Sequence, residues 1–183
     1  MTPTVGLRVR VATEDDLDQV CALVNHFIVT TTFNFRTEPQ TVDEWRRDWG
    51  RLHRRFPWLV ATDGDRVVGM AYAAPWKERA AYQWTAETTV YVDPSVQRRG
   101  VAGVLYRDLL DRLRRQGFRN AIAVIGLPND ASVRLHERHG FVPVALLPGI
   151  GFKHGGWHDV GFWQVRLQDG TASPEPPSPV AGA

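Results

Sequence analysis

The sequence predicts an α/β (α+β) domain with a mixed central sheet flanked by about four helices. Three observations carry that reading. Near the start, apolar residues recur at helical spacing over two segments; strand-like runs then follow as a meander. After the meander comes a strand–helix–strand–helix–strand passage. The chain has 183 residues and is 43% hydrophobic, enough for one ordinary core.

Each element has its own warrant. Residues 7–11 alternate apolar and basic side chains, as a half-buried strand does. Thr13 suits a helix N-cap, with Glu14, Asp15 and Asp16 in the first turn. Leu17, Val20, Val24, Phe27 and Ile28 follow at helical spacing. Cys21, the single cysteine, lies on that stripe; it excludes an intramolecular disulfide and reads as a small core residue. Residues 30–39 are irregular and carry Phe33, Phe35 and Arg36. Thr41, with Glu44 three residues on, is a capping box for a second helix that fades before Pro57. Residues 58–62 and 67–74 read as strands joined by the turn signal Asp63-Gly64-Asp65.

A polar connection over 75–82 leads to a strand over 84–92, stopped by Asp93-Pro94. The helix that follows runs through Leu105, Leu109, Leu110 and Leu113 and is closed by Gly117. Residues 121–125 are a continuous apolar run, as in a strand buried on both faces. Asn129 and Asp130 open a short helix ending near Gly140, and residues 141–147 and 160–167 supply the last two strands. The domain is expected to span 1–168. The Pro-, Ser- and Ala-rich tail over 169–183 is expected to be disordered.

Composition narrows the functional classes. No apolar run is long enough to cross a bilayer, and the N-terminus lacks a signal-peptide pattern, so a cytoplasmic protein without membrane association is expected. The net charge is only +2, and Asp108 and Asp111 interrupt the most basic helix, so no nucleic-acid partner is expected.

The strongest chemical signal is the junction over residues 90–103, where a strand ends, a basic Gly-rich loop follows and a helix begins. A helix N-terminus presents unpaired N–H groups and positive potential, which suits a pyrophosphate. Gly100 and Gly103 would let the backbone approach it, and Arg98 and Arg99 would add charged donors. The competing reading is an ordinary left-handed turn with solvated arginines. The pattern is neither a P-loop, since Gly-Lys-Ser/Thr is absent, nor a dinucleotide fingerprint, since the glycine spacing differs. Glu87 sits mid-strand, sharing a face with Thr85 and Thr89 while Ala86, Thr88, Val90 and Val92 take the other. A carboxylate there is either paired with an arginine or functional.

The pattern Gln97-x-x-Gly100-x-Ala102, together with Asn129 opening a helix that ends in Gly140-Phe141, resembles the GNAT superfamily of N-acetyltransferases. The likeness covers residues 8–167. Further stretches resemble its phosphinothricin N-acetyltransferase subfamily, whose members also acetylate methionine sulfone or methionine sulfoximine. They include Asn34-Phe35-Arg36-Thr37-Glu38-Pro39-Gln40, Trp84-Thr85-Ala86-Glu87, Gly126-Leu127-Pro128-Asn129-Asp130 and Gly151-Phe152-Lys153-His154-Gly155. The resemblance implies a mostly antiparallel sheet with a V-shaped split between its central strands. Acetyl-CoA would lie in the split as co-substrate, with no metal. Val90, Tyr91 and Val92 would pair with its pantetheine arm. Arg98, Arg99, Gly100, Val101, Ala102 and Gly103 would hold its pyrophosphate, and Asn129 would lie near the thioester.

For the chemistry, the resemblance implies Glu87 and His136 as an acid/base pair with the two roles unassigned, because an amine must lose a proton and a thiolate gains one. His136 stands where many superfamily members carry Tyr. His139 is expected to be solvated. Phe35, Lys77, Arg79, Tyr82 and Thr85 are implied around a small amino-acid-like substrate; Lys153, His154 and His158 form a further polar cluster. A homodimer is expected from the resemblance alone. Three other readings were open: transfer to another small or protein amine, a CoA-binding module without turnover, and nucleic-acid binding. Glu87 and His136 argue against the second.

Overall fold

A computed structural model describes residues 6–170 and 174–181. Its strands are β1 (Leu7–Val11), β2 (Trp58–Asp63), β3 (Arg66–Pro75), β4 (Thr85–Val92), β5 (Asn120–Leu127), β6 (Val142–Lys153) and β7 (Gly156–Arg166). The helices are α1 (Leu17–Thr30), α2 (Val42–Leu52), α3 (Val101–Gln116) and α4 (Asp130–Arg138). The strands form one sheet in the order β1-β2-β3-β4-β5-β7-β6. Every neighbouring pair is antiparallel except β4–β5, which α3 joins as a parallel crossover.

The two faces of the sheet carry different helices, and β3 shows how. Gly69 faces Leu105 and Val101 of α3, where a Cβ would meet Leu105 at 3.0 Å. Tyr72, three residues on and therefore on the opposite face, packs edge-on against Trp45 of α2 at 6.1 Å. The core beneath α3 is closed by Leu105, Tyr106, Leu109 and Leu113, none with any exposed surface.

Local signals formed as the residues dictate. Thr41 Oγ1 accepts from Glu44 N at 3.3 Å and the Glu44 carboxylate accepts from Thr41 N at 2.7 Å, completing the capping box. Gly117 closes α3 at φ 95°.

Three expectations are corrected. The strand over 121–125 is not buried on both faces, since Val124 is 38% exposed: it lines a gap where β5 has left β4. The final strands are longer than expected and form a hairpin, because His154 at φ 49° and Gly155 at φ 77° make a left-handed two-residue turn that suits the strand twist. Part of the tail expected to be disordered is packed on the body. Trp84 Nε1–H donates to the Glu175 carbonyl at 2.8 Å, Gln116 Nε2 donates to that of Ser178 at 2.8 Å, and Val180 N donates to that of Arg54 at 2.8 Å. Val180 is buried there. Composition misled because a few backbone bonds and one buried side chain hold this segment without an apolar pattern. Residues 171–173 and 182–183 of that tail, and residues 1–5 of the expected domain, lie outside the described residues.

Candidate active site

β4 and β5 pair over only three positions, Thr85↔Asn120, Ala86↔Ala121 and Glu87↔Ile122. Beyond them the strands separate and open a cleft of about 640 Å³ between Thr88–Val92 on one lip and Val124–Gly126 on the other. Thr88 marks the apex. Its Oγ1 donates to the Ile122 carbonyl at 3.2 Å and accepts from Tyr106 Oη of α3 at 2.6 Å.

The predicted cofactor residues converge on this cleft. Val90, Tyr91, Val92, Arg98, Gly100, Val101, Ala102, Gly103 and Asn129 all line it. Val104 N bonds back to Gly100 O, so the N–H groups of Val101, Ala102 and Gly103 start α3 without an earlier helical carbonyl to receive them. Nothing lies within 4 Å of a Cβ built on Gly100, so the space above the loop is open. Asn129 Oδ1 caps α4 by accepting from Ser132 N at 3.2 Å, which leaves its amide nitrogen as the donor available to the cleft. Unpaired strand edges, a helix N-terminus and a free amide fit an extended ligand carrying amides and a pyrophosphate. Arg99 is the exception among the predicted set: it turns away from the cleft to an ion pair with Asp63 at 3.5 Å.

The expected acid/base residues lie on opposite sides of the sheet. Thr88 points to Tyr106, and the His136 ring packs edge-on against Tyr106 at 4.9 Å, so His136 belongs to the α3 side. Glu87 alternates with Thr88 and projects to the α1/α2 side, so the two do not form a contacting pair. His136 Nδ1 lies 2.7 Å from the Ser132 carbonyl, which can only accept, so that nitrogen carries the proton. Nε2 is then a lone-pair acceptor, buried and without a partner among the described residues. Burial pulls the His136 pKa down to about 4, leaving the ring neutral near pH 7. The Glu87 carboxyl is shifted the other way. Burial raises its pKa above the ordinary value, opposed by the charge of Lys77.

The substrate residues separate into two groups. Lys77, Arg79, Tyr82 and Thr85 line a second cavity of about 220 Å³, with Arg55 and Phe56. The Lys77 ammonium sits 4.6 Å above the Trp76 ring. Phe35 is elsewhere, its ring seated on Gly151, where a Cβ would approach it to 2.2 Å. The late cluster is structural: Lys153 is buried, and His158 Nε2 bonds the Lys153 carbonyl at 3.0 Å. His139 is not solvated. Its Nδ1 and Nε2 lie 2.8 and 3.2 Å from the Leu135 and Gly103 carbonyls, and the neutral ring donates to one of the two, which sets it between α4 and α3.

Sequence reasoning missed Phe27, Ser132 and Leu135, which also line the cleft. Ser132, four residues before His136, shares its face of α4, so helical spacing would have found it, whereas no such spacing points to Leu135.

The acetyltransferase (GNAT) family model matches residues 21–141. Phosphinothricin N-acetyltransferase of Streptomyces viridochromogenes is 53% identical over 174 residues, covering 95% of this chain and 93% of that protein. The L-methionine sulfoximine/L-methionine sulfone acetyltransferase of Salmonella typhimurium is 31% identical over 91% of this chain and 98% of that protein. Among solved structures, a phosphinothricin acetyltransferase from Sinorhizobium meliloti in complex with acetyl-CoA superposes with a TM-score of 0.87 at 30% identity, covering 97% of this chain and 95% of that one. With the split sheet, the helix N-terminus at its mouth and these likenesses together, the chain belongs to the GNAT family of acetyltransferases.

Proposed function

We propose that this enzyme transfers the acetyl group of acetyl-CoA to the α-amine of an amino acid with a tetrahedral head, the class of phosphinothricin, methionine sulfone and methionine sulfoximine. The observation that carries it is the half-buried Glu87, its pKa raised, on β4 between Thr85 of the cavity that Lys77, Arg79 and Tyr82 also line and Thr88 of the cleft suited to the cofactor. Relatives named for these same substrates support the substrate class.

Acetyl-CoA supplies the activated acyl group. The α-ammonium of the acceptor must first become a neutral amine, and Glu87 takes that proton, directly or through a water. Its raised pKa makes it a stronger base than a solvated carboxylate. The cations of the second cavity hold the acidic groups of the acceptor. Asn129 donates near the thioester oxygen, where negative charge develops. His136 stays neutral and offers Nε2 as an acceptor from the α3 side, so it does not serve as the acid in this tautomer.

A homodimer is part of the proposal. Along the edge strand β6, Val142, Val144, Leu146, Ile150 and Phe152 are each more than half exposed, an apolar surface a second copy would cover. A cytoplasmic setting accords with the sequence, and no helix among the described residues is long and apolar enough to cross a membrane.

Release of CoA from acetyl-CoA tests the reading, with phosphinothricin, methionine sulfone, methionine sulfoximine, glutamate and a lysine-rich peptide as acceptors. Selective turnover of the tetrahedral-headed amino acids is expected, and Glu87→Gln should lower kcat by about 10²-fold or more. Turnover of the peptide alone would overturn the substrate class.

A further inference from the structure

Lys153 is a buried lysine that the chemistry above does not use. It ends β6, immediately before the left-handed turn at His154 and Gly155, and only 5% of it is exposed. Its ammonium donates to the carbonyl of Ile28 at 2.6 Å and to that of Asn34 at 2.5 Å. No carboxylate pairs with it among the described residues. A buried cation facing only carbonyls is retained against its desolvation cost where those carbonyls must be gathered. One of the two is in the last turn of α1, where carbonyls lack helical partners and the dipole favours a cation.

The other carbonyl belongs to a segment that crosses the mouth of the cleft. Asn34 Nδ2 donates to Tyr91 Oη of β4 at 2.9 Å, fixing the segment to one lip. On the opposite lip, a Cβ on Gly126 of β5 would meet the Thr32 carbonyl at 2.8 Å and the Phe35 ring at 3.0 Å. Phe33, between them, lines the cleft itself. The segment over residues 31–36 is thus a bridge touching both strands of the split. Lys153 is the group that ties it down to α1 and to the β6–β7 hairpin.

We propose that Lys153 is a positioning residue for the acceptor side of the active site: it holds the 31–36 bridge on the face of β4 that Tyr91 shares with Glu87, with Phe33 lining the cleft. This rests on the acetyl-transfer reading. The N-terminus of α3, the expected pyrophosphate site, is touched by neither Lys153 nor the bridge, which meets the strand edges only at Tyr91 and Gly126, so acceptor binding should suffer more than acetyl-CoA binding from its loss.

The test compares wild type with Lys153→Met, using methionine sulfone as acceptor, acetyl-CoA affinity by calorimetry, and trypsin cleavage after Arg36 as a local reporter of the bridge. The expected result is a rise in acceptor KM of about tenfold, equivalent to about 1.4 kcal/mol. Acetyl-CoA affinity should stay within about twofold, and cleavage after Arg36 should quicken. Lys153→Gln, which keeps one donor, is read the same way if the Met variant does not fold. Unchanged acceptor KM with unchanged cleavage overturns the proposal, as does an equal loss of affinity for both ligands, which would make Lys153 a prop of the whole fold. Should wild type acetylate none of phosphinothricin, methionine sulfone and methionine sulfoximine, the acetyl-transfer reading fails, while the trypsin comparison still decides whether Lys153 holds the bridge.

Discussion

Arg98 adopts a φ of 63°, a left-handed conformation uncommon for a residue with a Cβ. It does so at the mouth of the cleft, beside Gly100 at φ 80°. Asn tolerates that backbone better, so Arg98→Asn is expected to stabilise the free protein by on the order of 0.5 kcal/mol in urea unfolding and to raise the KM for acetyl-CoA. Titration offers two more readouts. His136 has a folded pKa of about 4, below its unfolded value of about 6.5. In that window the unfolded chain binds more protons, so stability falls as pH drops from about 6.5 to about 4. Urea midpoints across that range should show the loss, and His136→Phe should reduce it. Glu87 is raised by burial and lowered by Lys77, so Lys77→Met should move the acidic limb of kcat/KM to higher pH. At this scale the sequence singled out Glu87 through its isolation in an apolar strand and the loop that lines the cleft through its glycines. It hid the placement of Arg99 and the neutrality of His136, because both depend on neighbours distant in the chain, Asp63 for one and Tyr106 for the other.

The elements were the most legible level, since their warrants are local. Capping boxes, Gly117 and the Asp63-Gly64-Asp65 turn are written within a few residues. Thr41→Ala should accordingly cost about 1 kcal/mol of stability, measured by chemical unfolding, with acetyl-CoA affinity unchanged. The β6–β7 hairpin was less legible. The expected strand stopped at 147, yet β6 continues to Lys153 through a register shift between Leu147 and Gly151. Gly151 is needed there because Phe35 occupies the space a side chain would fill. Such a requirement arises from a residue more than a hundred positions away in sequence, so no local pattern announces it.

At the level of the whole molecule, the order of strands was not readable from periodicity. That β5 pairs with β7 and leaves β6 on the edge depends on the long hairpin, and the apolar face of β6 becomes visible only once it is known to be an edge. The packed tail belongs to this scale as well. It joins Trp84, Gln116 and Arg54, three points in different parts of the chain, at the closed end of the β4–β5 pair. Truncation after Gln168 should therefore lower stability by on the order of 1–2 kcal/mol, the net of a few backbone bonds and one buried valine less the entropy of the ordered tail. An unchanged unfolding midpoint would show the strap to be inert.

A sheet closed at one end and parted at the other has an edge in its own middle. β4 pairs with β3 along its length, so alternate amides point the other way: those between Val90 and Val92 face the gap, whereas those between Thr85 and Glu87 meet β5. The same short strand should thus divide in hydrogen exchange, slow at its start and fast at its end, and saturating acetyl-CoA should erase the difference. On that reading the co-substrate would act as an eighth strand that arrives from solution and leaves with every turnover, and part of the protein's cohesion would depart with it.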